Sequence, residues 1–219
     1  MILSKIPFTY HWIMIHHIEN WIDVLDLGCG DGEFTADLVR GKKVNIIGVE
    51  LYPGSIKKAK EQNIYRKIVK ADITKLPKTL PKANVVIASQ VIEHLTKTNG
   101  NKFLNQIETF AKKRVIVSTP VGFVPFHQLE RGQQDQNPYQ KHLSGWEVND
   151  FRKRGYRVYG QGLRVIYQSG WAKKISGNWF LVISLLSFLT SPITYFHPEW
   201  AMYMIAVKEI SNGKSTKQK

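Results

Sequence analysis

Only one cysteine, Cys29, occurs in the chain. An internal disulfide is therefore impossible and a cysteine-rich zinc site is excluded, so a reducing, cytoplasmic setting is expected. Acidic residues are also scarce: 17 Asp and Glu stand against 31 Lys and Arg, a formal charge of +14. Such a field favours anionic partners, whether nucleic acid, a lipid surface or a phosphorylated substrate. The basic residues are nevertheless scattered through "IKKAKEQ", "YRKIVK", "AKKRV" and "FRKRGYRV", as on the solvated faces of helices and at strand ends. No repeat of solenoid period is present. The opening "MILSKIPFTYHWIMIHHIENW" lacks an uninterrupted apolar core and a small-residue cleavage site, so no export signal is expected.

What is present is a rhythm. After an N-terminal helical segment over residues 1–20, short apolar runs alternate with amphipathic ones. "WIDVLDLG", "VNIIGVEL", "RKIVKADI", "ANVVIASQ" and "RVIVSTP" read as strands, whereas "DGEFTADLVRG", "PGSIKKAKEQN" and "NKFLNQIETFAKK" read as helices. Nearly continuous apolar strands between such helices imply a parallel sheet covered on both faces: a doubly wound, Rossmann-like α/β domain over residues 21–210, with its ligand outside the carboxyl ends of the strands. Residues 121–142 form a polar, turn-rich loop suited to a substrate rim. A helix restarts in "SGWEVNDFRKRG", where Ser144 and Glu147 have capping-box spacing. "YRVYGQGLRVI" and "AMYMIAVKEI" supply two further strands, and residues 211–219 read as a polar, disordered tail.

Between those last strands lies "WFLVISLLSFLTSPITYF", residues 179–196, without a charged residue. As a helix it spans about 27 Å, just short of a hydrocarbon core of about 30 Å, and Pro192 interrupts it. A single crossing would also strand the final strand on the wrong side of the membrane. The readings left are a buried helical hairpin, a dimer contact, or a segment embedded in one leaflet, with Trp171, Lys173, Lys174 and Trp179 as interfacial anchors.

"VLDLGCGDGEF" carries the chemistry. Its glycines follow a strand and open a helix, so backbone N–H groups can approach a ligand closely. The ligand is a dinucleotide or S-adenosylmethionine. The spacing Gly28, Gly30, Gly32 lacks the third glycine of GxGxxG, since Glu33 stands there. Asp26 and Asp31 place negative charge where a pyrophosphate would lie, but suit the amino group and sulfonium of S-adenosylmethionine. Glu50, closing the second strand, can accept both ribose hydroxyls in either case. Asp72, ending the third, can accept from the adenine amine and favours S-adenosylmethionine. Cys29 is small enough to pack within the loop.

With these residues in place, "VLDLGCGDG", "GVEL", "KADI", "VVIASQVIEHL" and "RVIVSTP" together resemble a class I S-adenosylmethionine-dependent methyltransferase, over roughly residues 23–120. The resemblance implies a seven-stranded sheet whose last strand is antiparallel. It also implies a cofactor site of Asp26, Gly28, Cys29, Gly30, Asp31, Gly32, Glu50, Leu51, Asp72, Ile73, Ser89 and Gln90. "ASQVIEHL" is most similar to small-molecule methyltransferases of the ubiquinone and menaquinone type.

A methyl sulfonium is already activated, so alignment and exclusion of water dominate, with a base needed for a hydroxyl acceptor. His94 and His142 are the candidate bases, because histidine titrates near neutrality. His11, His16, His17, His127 and His197 read as structural. Related small-RNA and quinone methyltransferases carry an E-x-x-E-H metal cluster; here Gln90 replaces its first acid, so no metal is expected. The expected acceptor is a small, amphiphilic molecule such as a quinone, isoprenoid or lipid-linked sugar. Alternatives are an RNA or protein acceptor met by the basic surface, or a cofactor-binding accessory module. The nucleic-acid reading lacks support, since "ASQV" replaces an NPPY-type turn, the only cysteine lies in the cofactor loop, and no added basic domain occurs.

Overall fold

The computed structural model describes residues 6–18, 22–125, 137–165 and 185–210. The start of the apolar run before residue 185, part of the long loop including His127, the anchors Trp171, Lys173, Lys174 and Trp179, and the tail lie outside these residues.

Seven strands form one sheet: β1 (Asp23–Leu27), β2 (Asn45–Glu50), β3 (Tyr65–Lys70), β4 (Ala83–Ser89), β5 (Ala111–Pro120), β6 (Arg157–Leu163) and β7 (Ala201–Glu209), in the order 3-2-1-4-5-7-6. β1 to β5 pair in parallel and β7 runs antiparallel to both neighbours, as expected. Between them stand α1 (Tyr10–Ile18), α2 (Glu33–Val39), α3 (Pro53–Glu61), α4 (Lys97–Phe110), α5 (Val148–Arg152) and α6 (Ser191–Phe196).

Side chains alternate across a strand, and here the alternation divides one apolar run between two cores. Val85 and Ile87 join Ile13 and Met14 of α1 and Leu38 of α2 on one face. Val86 and Ala88 join Phe103, Leu104 and Ile107 of α4, with Trp146 and Phe151, on the other. β5 and β7 divide in the same way, Ile116 and Ile205 going to the first core and Val117 and Ala206 to the second. Burial on both faces explains why these strands read as continuous apolar runs. β3 is an edge strand and exposes Arg66, Lys67 and Lys70, charges that discourage further pairing.

Two local expectations are corrected. "AKK" at 111–113 is the start of β5 instead of the end of α4, because Ala111 pairs with Ala83. The capping interaction of α5 lies one turn later than expected: the Glu147 N–H donates to Asp150 Oδ2 (2.7 Å). Ser144 instead accepts from the buried indole of Trp146 (2.9 Å). Trp146 fits because Gly100 faces it, where a Cβ would stand 2.4 Å from the ring.

Candidate functional site

The carboxyl ends of β1, β2 and β4 meet at the glycine loop. Gly28 and Cys29 N–H groups both donate to the Val49 carbonyl (2.8 and 3.1 Å), drawing the loop over the end of β2. Gly28 has φ +69°, and a Cβ there would lie 2.6 Å from Val91 Cγ2, so only glycine lets this loop meet the segment after β4. Gly30 has φ +56° and faces open space.

Glu50 is pinned at the end of β2. Its Oε2 accepts the Gly30 N–H (3.0 Å), and its Oε1 accepts the Leu51 and Tyr52 N–H groups (2.8 Å each). Asp72 caps the turn after β3, accepting the N–H and hydroxyl of Thr74 (2.8 Å each), with Ile73 beside it. Asp31 accepts the Glu33 N–H (3.2 Å). Asp26 is buried, and its Oδ2 takes hydroxyls from Thr35 (2.7 Å) and Tyr65 (2.8 Å). Burial pushes its pKa up, against the pull of those two bonds. Asp26 thus ties β1 to α2 and β3. The Cys29 thiol turns toward Gly48, and burial raises its pKa, so it behaves as a small packing group.

Ser89 and Gln90 close β4. Gln90 has φ +54° and its N–H donates to the Ser118 carbonyl (2.9 Å). Tyr10, which the sequence did not single out, reaches this point from α1: its hydroxyl shares hydrogen bonds with Ser89 Oγ (2.9 Å) and Ser118 Oγ. No spacing signal could have revealed contacts made across most of the domain.

One turn further on, the two candidate bases meet. The Glu93 carbonyl accepts N–H groups from Leu143 (2.7 Å) and Ser144 (3.1 Å), which fixes the end of the long loop against the segment after β4. This brings the rings of His94 and His142 to 4.9 Å between centroids. Each Nδ1 faces a backbone carbonyl, Lys141 O for His94 (3.3 Å) and Val124 O for His142 (2.5 Å). A carbonyl only accepts, so Nδ1 carries the proton and Nε2 is the basic nitrogen. Burial holds both histidines below their ordinary pKa, and they are neutral near pH 7.

Glu93 is the surprise. It is 2% exposed, neither carboxyl oxygen closes a well-formed hydrogen bond among the described residues, and burial pushes its pKa up to about 8 against the pull of its own backbone N–H and the Thr119 hydroxyl. One donor atom each from Glu93, His94 and His142 lies within 4.8 Å of the others. A buried carboxyl group without a well-formed hydrogen bond, beside two neutral imidazoles, offers a donor set suited to a divalent cation such as zinc or manganese, which would displace the carboxyl proton. The expectation of no metal weighed Gln90 against the first acid of a sequence cluster; it could not see His142 arriving as a third donor.

Strand order, the glycine loop after β1 and the acid closing β2 define the class: this is a class I S-adenosylmethionine-dependent methyltransferase. A family model described as a methyltransferase domain matches residues 18–155, and the chain belongs to that family. No curated protein matches the chain. Among solved structures it is similar in fold to the methyltransferase domain of a bacterial CtHen1, with TM-score 0.56 and 17% identity over 95% of this chain and 100% of the other. It is similar to a SAM-dependent methyltransferase from Archaeoglobus fulgidus, with TM-score 0.56 and 17% identity over 95% and 97%. Magnesium protoporphyrin IX methyltransferase from Synechocystis PCC 6803, solved with bound SAH, gives TM-score 0.56 and 14% identity over 95% and 85%.

Proposed function

We propose that the chain transfers the methyl group of S-adenosylmethionine to a hydroxyl of a small, hydrophobic or lipid-linked acceptor. The observation that carries this reading is the pair of neutral imidazoles, His94 and His142, one turn beyond Gln90 and joined to the glycine loop through the Val91–Gly28 contact. The residues that would hold the cofactor are the loop Gly28 to Gly32, Glu50 for the ribose hydroxyls, Asp72 for the adenine amine and Leu51 and Ile73 for the base, and Ser89 and Gln90 would line the methyl-donor end. Asp26 and Asp31 set the potential of the loop, Asp26 from beneath it.

The acceptor oxygen attacks the methyl carbon in line with the breaking S–C bond. A histidine Nε2 takes the hydroxyl proton, the sulfonium becomes a neutral thioether, and no charge is left unbalanced. A second reading is favoured by the buried Glu93 carboxyl group, which closes no well-formed hydrogen bond among the described residues: Glu93, His94 and His142 would together hold a divalent cation. Such a cation, when bound, supplies Lewis acidity that makes the acceptor hydroxyl easier to deprotonate.

The test uses methyl-labelled S-adenosylmethionine with an extract of source cells, separating organic-soluble from acid-insoluble label. Organic-soluble label that falls about 10²-fold or more in His142→Ala, with cofactor affinity unchanged, supports the reading. Acid-insoluble label would instead identify a macromolecular acceptor such as RNA or protein.

A further inference from the structure

The helix before β7 is built inside out. Over residues 185–196 the side chains turned toward the protein are small and polar apart from Tyr195, which stacks on Tyr159 of β6: Ser191 and Thr194 are buried, and Ser187 and Thr190 are half-buried. The hydroxyls of Thr190, Ser191 and Thr194 are satisfied by the helix itself. Thr190 donates to the Leu186 carbonyl (2.8 Å), Ser191 to Ser187 O (2.9 Å) and Thr194 to Ser191 O (3.1 Å). Small residues let this face approach β6 closely, where a Cβ on Gly160 would stand 2.2 Å from the Thr194 carbonyl.

The outward side carries the large apolar groups. Leu185, Phe188, Leu189, Ile193 and Phe196 recur at helical spacing, each between 48% and 67% exposed. No charged residue falls between 185 and 196. An ordinary surface helix has the opposite arrangement, and an apolar patch this dense marks a contact surface.

Charge selects the occupant. A second copy of this chain would bring two bodies of formal charge +14 together, whereas an anionic lipid surface is complementary to that charge and solvates the apolar stripe. The patch also adjoins the site. Phe8 packs its ring on Tyr195 (5.1 Å) and Phe196 (6.4 Å), and two residues on Tyr10 touches Ser89 and Ser118. We infer that residues 185–196 dock the enzyme on an anionic lipid surface, with α1 connecting the docked face to the methyl-donor end of the site. This deepens the proposed function, because a lipid-borne acceptor would then be presented beside the site. No helix of the described residues is long and apolar enough to cross a membrane, and the docking is to one face.

The test is co-sedimentation of the full chain with vesicles of equimolar phosphatidylcholine and phosphatidylglycerol, beside vesicles of phosphatidylcholine alone, with solution mass measured by light scattering. The wild type is expected to sediment with the anionic vesicles and less with the neutral ones. Phe188→Ser/Leu189→Ser, exposed positions outside the catalytic machinery, is expected to partition at least about tenfold less. Absence of sedimentation with anionic vesicles overturns the inference. So does a wild-type dimer that the double variant converts to monomer, since a second copy would then cover the patch. Cofactor binding and methyl transfer are measured on the same samples: vesicle binding without either would sink the proposed function and leave the docking standing.

Discussion

The Tyr10 hydroxyl lies 2.9 Å from Ser89 Oγ and also bonds Ser118 Oγ, so a residue of α1 ties together the ends of two adjacent parallel strands. The two serines are themselves 3.1 Å apart and can partly satisfy each other when the phenol is removed. Tyr10→Phe is therefore expected to cost about 1–2 kcal/mol of stability, read as a fall in Tm. Because Gln90 follows Ser89 directly, the same variant should weaken S-adenosylmethionine binding severalfold by calorimetry. An unchanged Kd would confine Tyr10 to a structural role.

Gly28 and Gly30 are expected to separate folding from binding. Gly28→Ala drives a methyl group into Val91 and should lower Tm by several degrees while abolishing cofactor binding. Gly30→Ala meets no neighbour and costs only about 1 kcal/mol for its left-handed backbone. Its methyl group nevertheless enters the space above the loop, so binding should fall about tenfold or more with the fold intact. Equal losses of stability in the two variants would refute the distinction.

The donor set of Glu93, His94 and His142 makes a direct prediction about metal. Titration of purified, chelator-treated protein with manganese or zinc should show one saturable site, lost in His142→Ala and weakened about tenfold or more in Glu93→Gln. If a site is found and chelation leaves methyl transfer unchanged, the cation has no part in the reaction. If no cation binds, the two-histidine reading stands alone.

Acid stability should depend on His17. Burial, with the Arg114 guanidinium nearby, pushes it from 6.5 down to about 4. Between those values the unfolded chain binds a proton that the folded chain refuses. The stabilisation is complete above pH 6.5 and declines as the pH falls toward 4. With allowance for its partial exposure, the loss is on the order of 2 kcal/mol. His17→Phe keeps a ring against Tyr159, which His17 stacks at 5.0 Å, and removes the titration. Its Tm should vary less steeply over the same range, and an unaltered slope would assign the acid sensitivity elsewhere.

The sequence by itself determined the sheet. Apolar runs of strand length between amphipathic helices have one economical arrangement, and the glycines of "LDLGCGDG" announce the loop because their backbone conformation is written in residue type. Gly28, Gly30, Glu50 and Asp72 were legible for the same reason: each lies at a strand end, where topology fixes position. Tertiary structure alone decided the rest. His142 meets His94 only because Leu143 and Ser144 bond the Glu93 carbonyl, and Tyr10 reaches Ser89 only because α1 folds back over the sheet. Glu93 becomes a buried carboxyl group without a well-formed hydrogen bond through packing that leaves no local trace. The apolar run 179–196 was equally ambiguous as a string. Where the structure describes it, from residue 185, the short hydroxyl side chains and Tyr195 face the sheet, and Leu185, Phe188, Leu189, Ile193 and Phe196 face outward. The run's hydrophobicity was readable, but its direction was set by which side could approach the sheet closely.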